Sequence, residues 1–246
     1  MPPLITSHPD AFPVAPPPDL DDPGSITAHD WRAFDTLTEM QNHWQRPGWT
    51  SSTRAYYWLL TISDEPAFVA QARRCQDAVR HLQAFDLIDS ESFHLTLGRI
   101  ADANTVDEAL LFRLAENVQA IAPAAFTLSA LPLTGSRGAL RYSVAPWSPI
   151  VGLLQLLVAA SASCGLPHMK SSSRLRPHIG IGYCGRKLPA EPVHEAVRPL
   201  RSLPPTELLI DHVDLVEMRR EGASYRWRVV HTVDLPQAAS LRDRVI

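Results

Sequence analysis

The sequence predicts an α+β protein of two similar lobes, and two observations carry that prediction. Strand-like and helix-like segments alternate in the order strand, helix, strand, helix, strand pair, helix, strand, helix, hairpin. Each half therefore supplies strands flanked by helices. In addition, "SFHLTLG" (residues 92–98) and "RPHIGIG" (residues 176–182) follow one plan. A histidine is followed two positions on by a small residue and four positions on by glycine, with an aliphatic row on the opposite face. His94 and His178 lie 84 residues apart, about half a domain, as if one unit were used twice.

The elements follow in order. Residues 1–30 hold eight of the 22 prolines; such a segment suits neither a ladder nor a helix interior and reads as an extended or disordered arm. "HWQRPGW" (43–49) is the expected hinge, giving an arm over residues 1–43 and a folded domain over 44–246. "AYYWLLTI" (55–62) is β-rich and aromatic, a buried strand. Residues 65–85 carry helical spacing through Phe68, Ala72, Cys75, Val79 and Leu82. "ESFHLTLGRI" (91–100) is a strand, and Thr105 with Glu108 reads as a capping box opening a helix to Ile121. Residues 125–133 and 139–146 are strands around the turn-rich "TGSRG". Ser148 as cap and Pro149 at the first helical position open a helix that stops at Gly165. "RLRPHIGIGYCG" (174–185) is a strand, residues 191–200 a short helix, and 208–220 with 224–235 a closing hairpin.

Composition is that of an ordinary soluble domain, with 45% hydrophobic and 20% charged residues. The longest apolar run, residues 150–160, contains Gln155 and is shorter than the roughly 18–20 residues of a membrane span. No secretory signal is expected at the N-terminus. Three widely spaced cysteines make neither a disulfide framework nor a metal site, so a reducing cytoplasm is expected. The net charge of −3 hides an acid-free stretch between Glu116 and Glu191 that contains Arg137, Arg141, Lys170, Arg174, Arg176, Arg186 and Lys187. The favoured reading is a positive field for an anionic ligand; the alternative is that acids of the N-terminal part pair with these cations.

Two strands that each present a histidine over small residues would bound a cleft, and the glycines would clear space for a ligand there. Displacement at phosphorus suits such a cleft. One imidazole takes the proton of the attacking oxygen while the other protonates the leaving oxygen, because histidine titrates near working pH. Thr96 shares the face of His94 and can donate to a non-bridging phosphate oxygen. No metal or cofactor is implied. Arg176 has the parity of His178 and could reach a phosphate, whereas Tyr183 has the wrong parity unless the strand bulges. Tyr225 and Trp227 on the final hairpin are core residues or base-stacking aromatics, with Tyr225 the candidate for substrate contact. His212 and His231 read as structural, and His168 as a groove-edge residue at best.

Through "FHLTL", "RPHIGIGY" and "VDLVEMRR…YRWRVV", the chain resembles the two-histidine (2H) phosphoesterases, and among them the bacterial 2′-5′ RNA ligase family. The resemblance covers some four-fifths of the chain and leaves out the arm. It implies a bilobal fold of mainly antiparallel sheet with pseudo-twofold symmetry and a central groove. It also implies metal-independent cleavage of 2′,3′-cyclic or 2′-5′ phosphodiesters of RNA or nucleotides, with His94, Thr96 and His178 as the catalytic residues; separately, a monomer is expected. Gly180 departs from the family pattern, which has Ser or Thr two residues after the second histidine. That departure keeps two alternatives open: a phosphate-binding module with little turnover, and a fold recruited to small-molecule metabolism.

Overall fold

A computed structural model describes residues 5–45, 50–62, 65–166 and 172–237. The prolines of the N-terminal segment do not exclude a helix, as they were expected to. Helix α1 (Pro23–Asp35) starts on its proline, where no N–H is needed, and Asp22 caps it by accepting from Ser25 N at 2.5 Å. Strand β1 (Glu39–Met40) follows. Phe34 and Met40 lie in the same buried cluster as the rest of the chain, so packing continues across the boundary expected at residue 43. Of the expected hinge, residues 46–49 lie outside the described residues, as do His168 and Lys170.

The remaining elements are β2 (Arg54–Thr61), α2 (Pro66–Val79), β3 (Phe85–Leu87), β4 (His94–Asp102), α3 (Glu108–Ala120), β5 (Phe126–Ala130), β6 (Thr134–Ser136), β7 (Ala139–Ala145) and α4 (Ser148–Ser163). After them come β8 (His178–Cys184), β9 (Leu188–Pro189), α5 (Glu191–Val197), β10 (Thr206–Ile210), β11 (His212–Glu221) and β12 (Ser224–Asp234). Two caps differ from expectation. Asp107, not Thr105, caps α3 by accepting from Leu110 N at 2.7 Å. At α4 the carboxylate of Asp21, from the N-terminal segment, accepts from Ser148 N at 2.8 Å and from its hydroxyl at 2.5 Å. The stretch read as one strand over 208–220 breaks at Asp211, so that β10 and β11 join different sheets.

All strand pairs are antiparallel. One sheet runs β10-β5-β7-β8-β3 with β6 beside β7, the other β12-β11-β2-β4, and β1 pairs with β9. The two histidine strands fall in different sheets, and β4 and β8 run close to each other. One face of each sheet enters a common core with α2, α3, α4 and α5: Trp58 and Leu60 from β2, Leu95 and Leu97 from β4, Ile179 and Ile181 from β8. The opposite face of the β2–β11 sheet carries Leu59, Val216 and Met218, with Tyr57, Tyr225 and Trp227 packed on them. That sheet is curled enough for Trp227 on one edge strand to meet His94 on the other, ring centroids 4.9 Å apart.

Candidate active site

The two histidine strands repeat each other in more than sequence. In β4 the aliphatic Leu95 and Leu97 are buried while Thr96 is exposed and His94 half-buried. In β8 Ile179 and Ile181 are buried while His178 is exposed and Gly180 half-buried. Each strand bulges three residues after its histidine. Leu59 and Trp58 face Thr96 and Gly98, which leaves Leu97 extra. Arg141 and Leu140 face Gly180 and Gly182, which leaves Ile181 extra. A bulge re-aims the side chains that follow it. Beyond the first, Arg99 rather than Gly98 pairs across to Tyr57 on the face of Thr96. The buried amide of Gln76 supports the second, donating to Ile181 O at 2.9 Å and to Ile88 O at 2.7 Å.

The rings are held alike. His94 Nδ1 lies 2.8 Å from Ser92 O and His178 Nδ1 lies 2.6 Å from Arg176 O, each a carbonyl two residues back. A carbonyl only accepts, so both Nδ1 atoms carry the proton and Nε2 is the basic nitrogen of each neutral ring. Burial pushes the His94 imidazole below its ordinary value, against the opposing effect of the Ser92 carbonyl. His94 is therefore neutral at neutral pH.

A small pocket of about 30 Å³ opens beside His94, walled by Ile88, Ser92, Tyr183, Tyr225 and Trp227. Tyr183 reaches it because the strand bulges, the condition its parity required. Tyr225 also reaches it; its hydroxyl lies 3.1 Å from His43 Nε2, and its ring packs with Trp44 and Tyr183. Trp227, read as core, is a pocket residue. Thr96, Gly180 and His178 are not among the lining residues; Gly180 adjoins the pocket through Ile88. A Cβ at Gly180 would sit 3.3 Å from Ile88 Cδ1, and one at Gly182 would sit 3.4 Å from Leu87 Cδ2. What approaches the glycines is thus apolar side chain of β3 and the residue after it, a neighbour that strand alternation could not reveal. Arg226 was also missed: it pairs with Asp89 at 2.7 Å and approaches Ser92 Oγ at 3.5 Å, at the pocket edge.

Arg176 is a correction. Its guanidinium donates to the carbonyls of Thr6, Pro13, Val14, Ser173 and Leu175, so it holds backbone and not a phosphate. The other described cations of the acid-free stretch are engaged too, two of them in ion pairs with acids of the N-terminal part, the contact the alternative reading expected. Arg174 pairs with Asp10 at 3.1 Å and Lys187 with Glu39 at 2.9 Å. Arg137 and Arg141 lie over the Phe12 ring, and Arg186 approaches Leu82 O at 3.4 Å. Burial disfavours the charge of Asp30, yet the bond from His29, the Arg141 charge and the Ser143 hydroxyl together hold it below the usual carboxylate range. His212 sits between Asp211 and Thr61, and His231 packs on Phe112. Among the described residues no cluster suits a metal ion, and no helix is long and apolar enough to cross a membrane.

A family model described as the 2′-5′ RNA ligase superfamily matches residues 59–222, about two thirds of the chain and both histidine strands. None of the curated proteins compared matches it. Solved structures share the fold at low identity. TT0787 of Thermus thermophilus is 15% identical, with a TM-score of 0.56 over 74% of this chain and 98% of its own. E. coli LigT in apo form is 16% identical, with a TM-score of 0.53 over 76% and 100%. LigT complexed with 3′-AMP is 15% identical, with a TM-score of 0.52 over 75% and 99%.

Proposed function

The chain belongs to the 2′-5′ RNA ligase superfamily, and we propose that it hydrolyses 2′,3′-cyclic or 2′-5′ phosphodiesters of RNA or nucleotides. The observation that carries the reading is the matched pair of histidines, each bound through Nδ1 to the carbonyl two residues before it. On a 2′,3′-cyclic phosphate, His94 Nε2 takes a proton from water as the water oxygen bonds to phosphorus. The bond from phosphorus to one ribose oxygen breaks, and His178 Nε2–H protonates that oxygen. The products are a nucleoside monophosphate, His94 charged and His178 neutral; exchange with solvent resets both. His94 is the base because burial keeps it neutral. Thr96 donates to a non-bridging oxygen as charge builds there. Tyr225, Tyr183 and Trp227 offer aromatic surface to a base, and the fold neighbour LigT has been solved with 3′-AMP. The three free cysteines suit a reducing cytoplasm.

Hydrolysis of nucleoside 2′,3′-cyclic phosphates in the presence of a chelator tests the reading. His94→Ala and His178→Ala should each abolish turnover while the protein stays folded. Full activity in either variant would overturn it.

A second reading, capture of phosphate with little turnover, is favoured by one feature. The space over Gly180 faces the apolar tip of Ile88 where the family pattern has a hydroxyl. Tight binding of a cyclic nucleotide with negligible product would select this reading over the first.

A further inference from the structure

The two lobes hold their histidines by equivalent carbonyls but fix those carbonyls differently. In the first lobe Ser92 closes a local turn, Ser90–Ser92, directly before β4. In the second lobe the carbonyl belongs to Arg176, whose side chain is anchored far away in sequence. Its Nε donates to Pro13 O at 2.8 Å, and one terminal nitrogen donates to Thr6 O at 3.1 Å and Val14 O at 2.6 Å. The other terminal nitrogen donates to Ser173 O at 3.2 Å and Leu175 O at 2.8 Å. All five N–H donors of a guanidinium can be used in such a cage; an ammonium has three. Pro177 fixes the backbone between this anchored residue and His178.

The N-terminal segment is also on the appropriate side of the sheet. Ser143 and Arg141 pair with His178 and Gly180 in the ladder, so their side chains share the histidine's face. Asp30 of α1 bonds Ser143, and Phe12 bonds and covers Arg141. The segment is strapped there by Asp10 on Arg174 as well. None of residues 6–14 falls within the span matched by the family, 59–222.

We propose that Arg176 is a positioning residue for His178 and that residues 6–14, by caging its guanidinium, are a working part of the site. The cage sets the Arg176 carbonyl, and the carbonyl sets the tautomer and aim of the imidazole. This rests on the acid role given to His178 above, but its test does not need that role to be correct.

The test uses the full chain, ¹⁵N-labelled, with the imidazole nitrogens of His178 and His94 followed by NMR. Two variants are compared with the wild type. Arg176→Met removes the cage's occupant; the double variant Asp10→Ala/Phe12→Ala loosens the segment while leaving Arg176 intact. In both, His178 should lose its preference for the Nδ1–H tautomer while His94 keeps its own. Arg176→Lys should restore part of the preference. Turnover of a nucleoside 2′,3′-cyclic phosphate should fall in kcat by roughly ten- to a hundredfold, the scale of a small misplacement of a reacting group, with KM little changed. An unaltered His178 tautomer in the folded variants overturns the proposal. Should Arg176→Met fail to fold, the double variant decides alone. A wild type without hydrolysis would defeat the proposed function, whereas the tautomer measurement would still decide this inference.

Discussion

Replacing Gly180 by serine returns a hydroxyl to the second histidine strand, and the structure bounds the effect. The new Cβ would meet one atom within 4 Å, Ile88 Cδ1 at 3.3 Å. The contact is slightly tight, and its partner is the end of a side chain at the pocket edge. The strain therefore falls below the ~1–3 kcal/mol of an overpacked core. Replacing glycine within a strand also recovers roughly 0.5–1 kcal/mol of backbone entropy, so the variant should fold at least as well as the parent. A hydroxyl donating to a charged phosphate oxygen contributes ~1.5–3 kcal/mol. Realised in the transition state, that is roughly a ten- to over hundredfold rise in kcat/KM. The assay is steady-state hydrolysis of a nucleoside 2′,3′-cyclic phosphate, alongside thermal unfolding. Ile88→Val removes the contacting methyl at a cost to stability of about 0.5–1.5 kcal/mol, and combined with Gly180→Ser it should show positive coupling. A folded Gly180→Ser protein that turns over no faster refutes the reasoning, because the space over Gly180 would then belong to the substrate.

Three further outcomes follow from the same geometry. The proposed role of His94 as base needs its neutral form and burial lowers its pKa, so activity should persist down to a pH below the ordinary imidazole value of 6.5 and be lost as pH falls through the shifted value; an acid limb in kcat/KM at or above 6.5 contradicts the assignment. Trp227→Ala uncovers the His94 ring, so the acid limb should move upward in the same pH–rate measurement; an unmoved limb would show that Trp227 does not desolvate it. Asp21→Ala removes the acceptor that caps α4 and should cost about 1 kcal/mol by chemical denaturation, with kcat unchanged.

What could be read in the sequence was what depends on local alternation. The parity of Leu95 and Leu97, and of Ile179 and Ile181, placed both histidines opposite the core, and so they stand. What could not be read depends on contacts distant in sequence. The bulges at Leu97 and Ile181 leave no local signal, yet the second one decides that Tyr183 enters the pocket. Ile88, just past β3, over Gly180 and Trp227 over His94 are meetings between segments far apart in sequence. The N-terminal segment misled for a different reason. Its prolines were counted against a helix, but Pro23 sits where a helix tolerates proline. Its acids entered the charge reading of residues 117–190 only as the alternative and its carbonyls not at all, although Arg174 engages Asp10, Arg141 lies near Asp30, and Arg176 donates to the Val14 carbonyl.

The most direct measurement is a crystal structure of the protein with a nucleoside 2′-monophosphate, the product of cyclic phosphate hydrolysis. The account predicts a phosphate with His94 Nε2 and His178 Nε2 each within about 3 Å of one of its oxygens, the range of a hydrogen bond, and the base lying against Tyr225 or Trp227. A phosphate held by one histidine alone, with the other imidazole turned from it, would contradict the account.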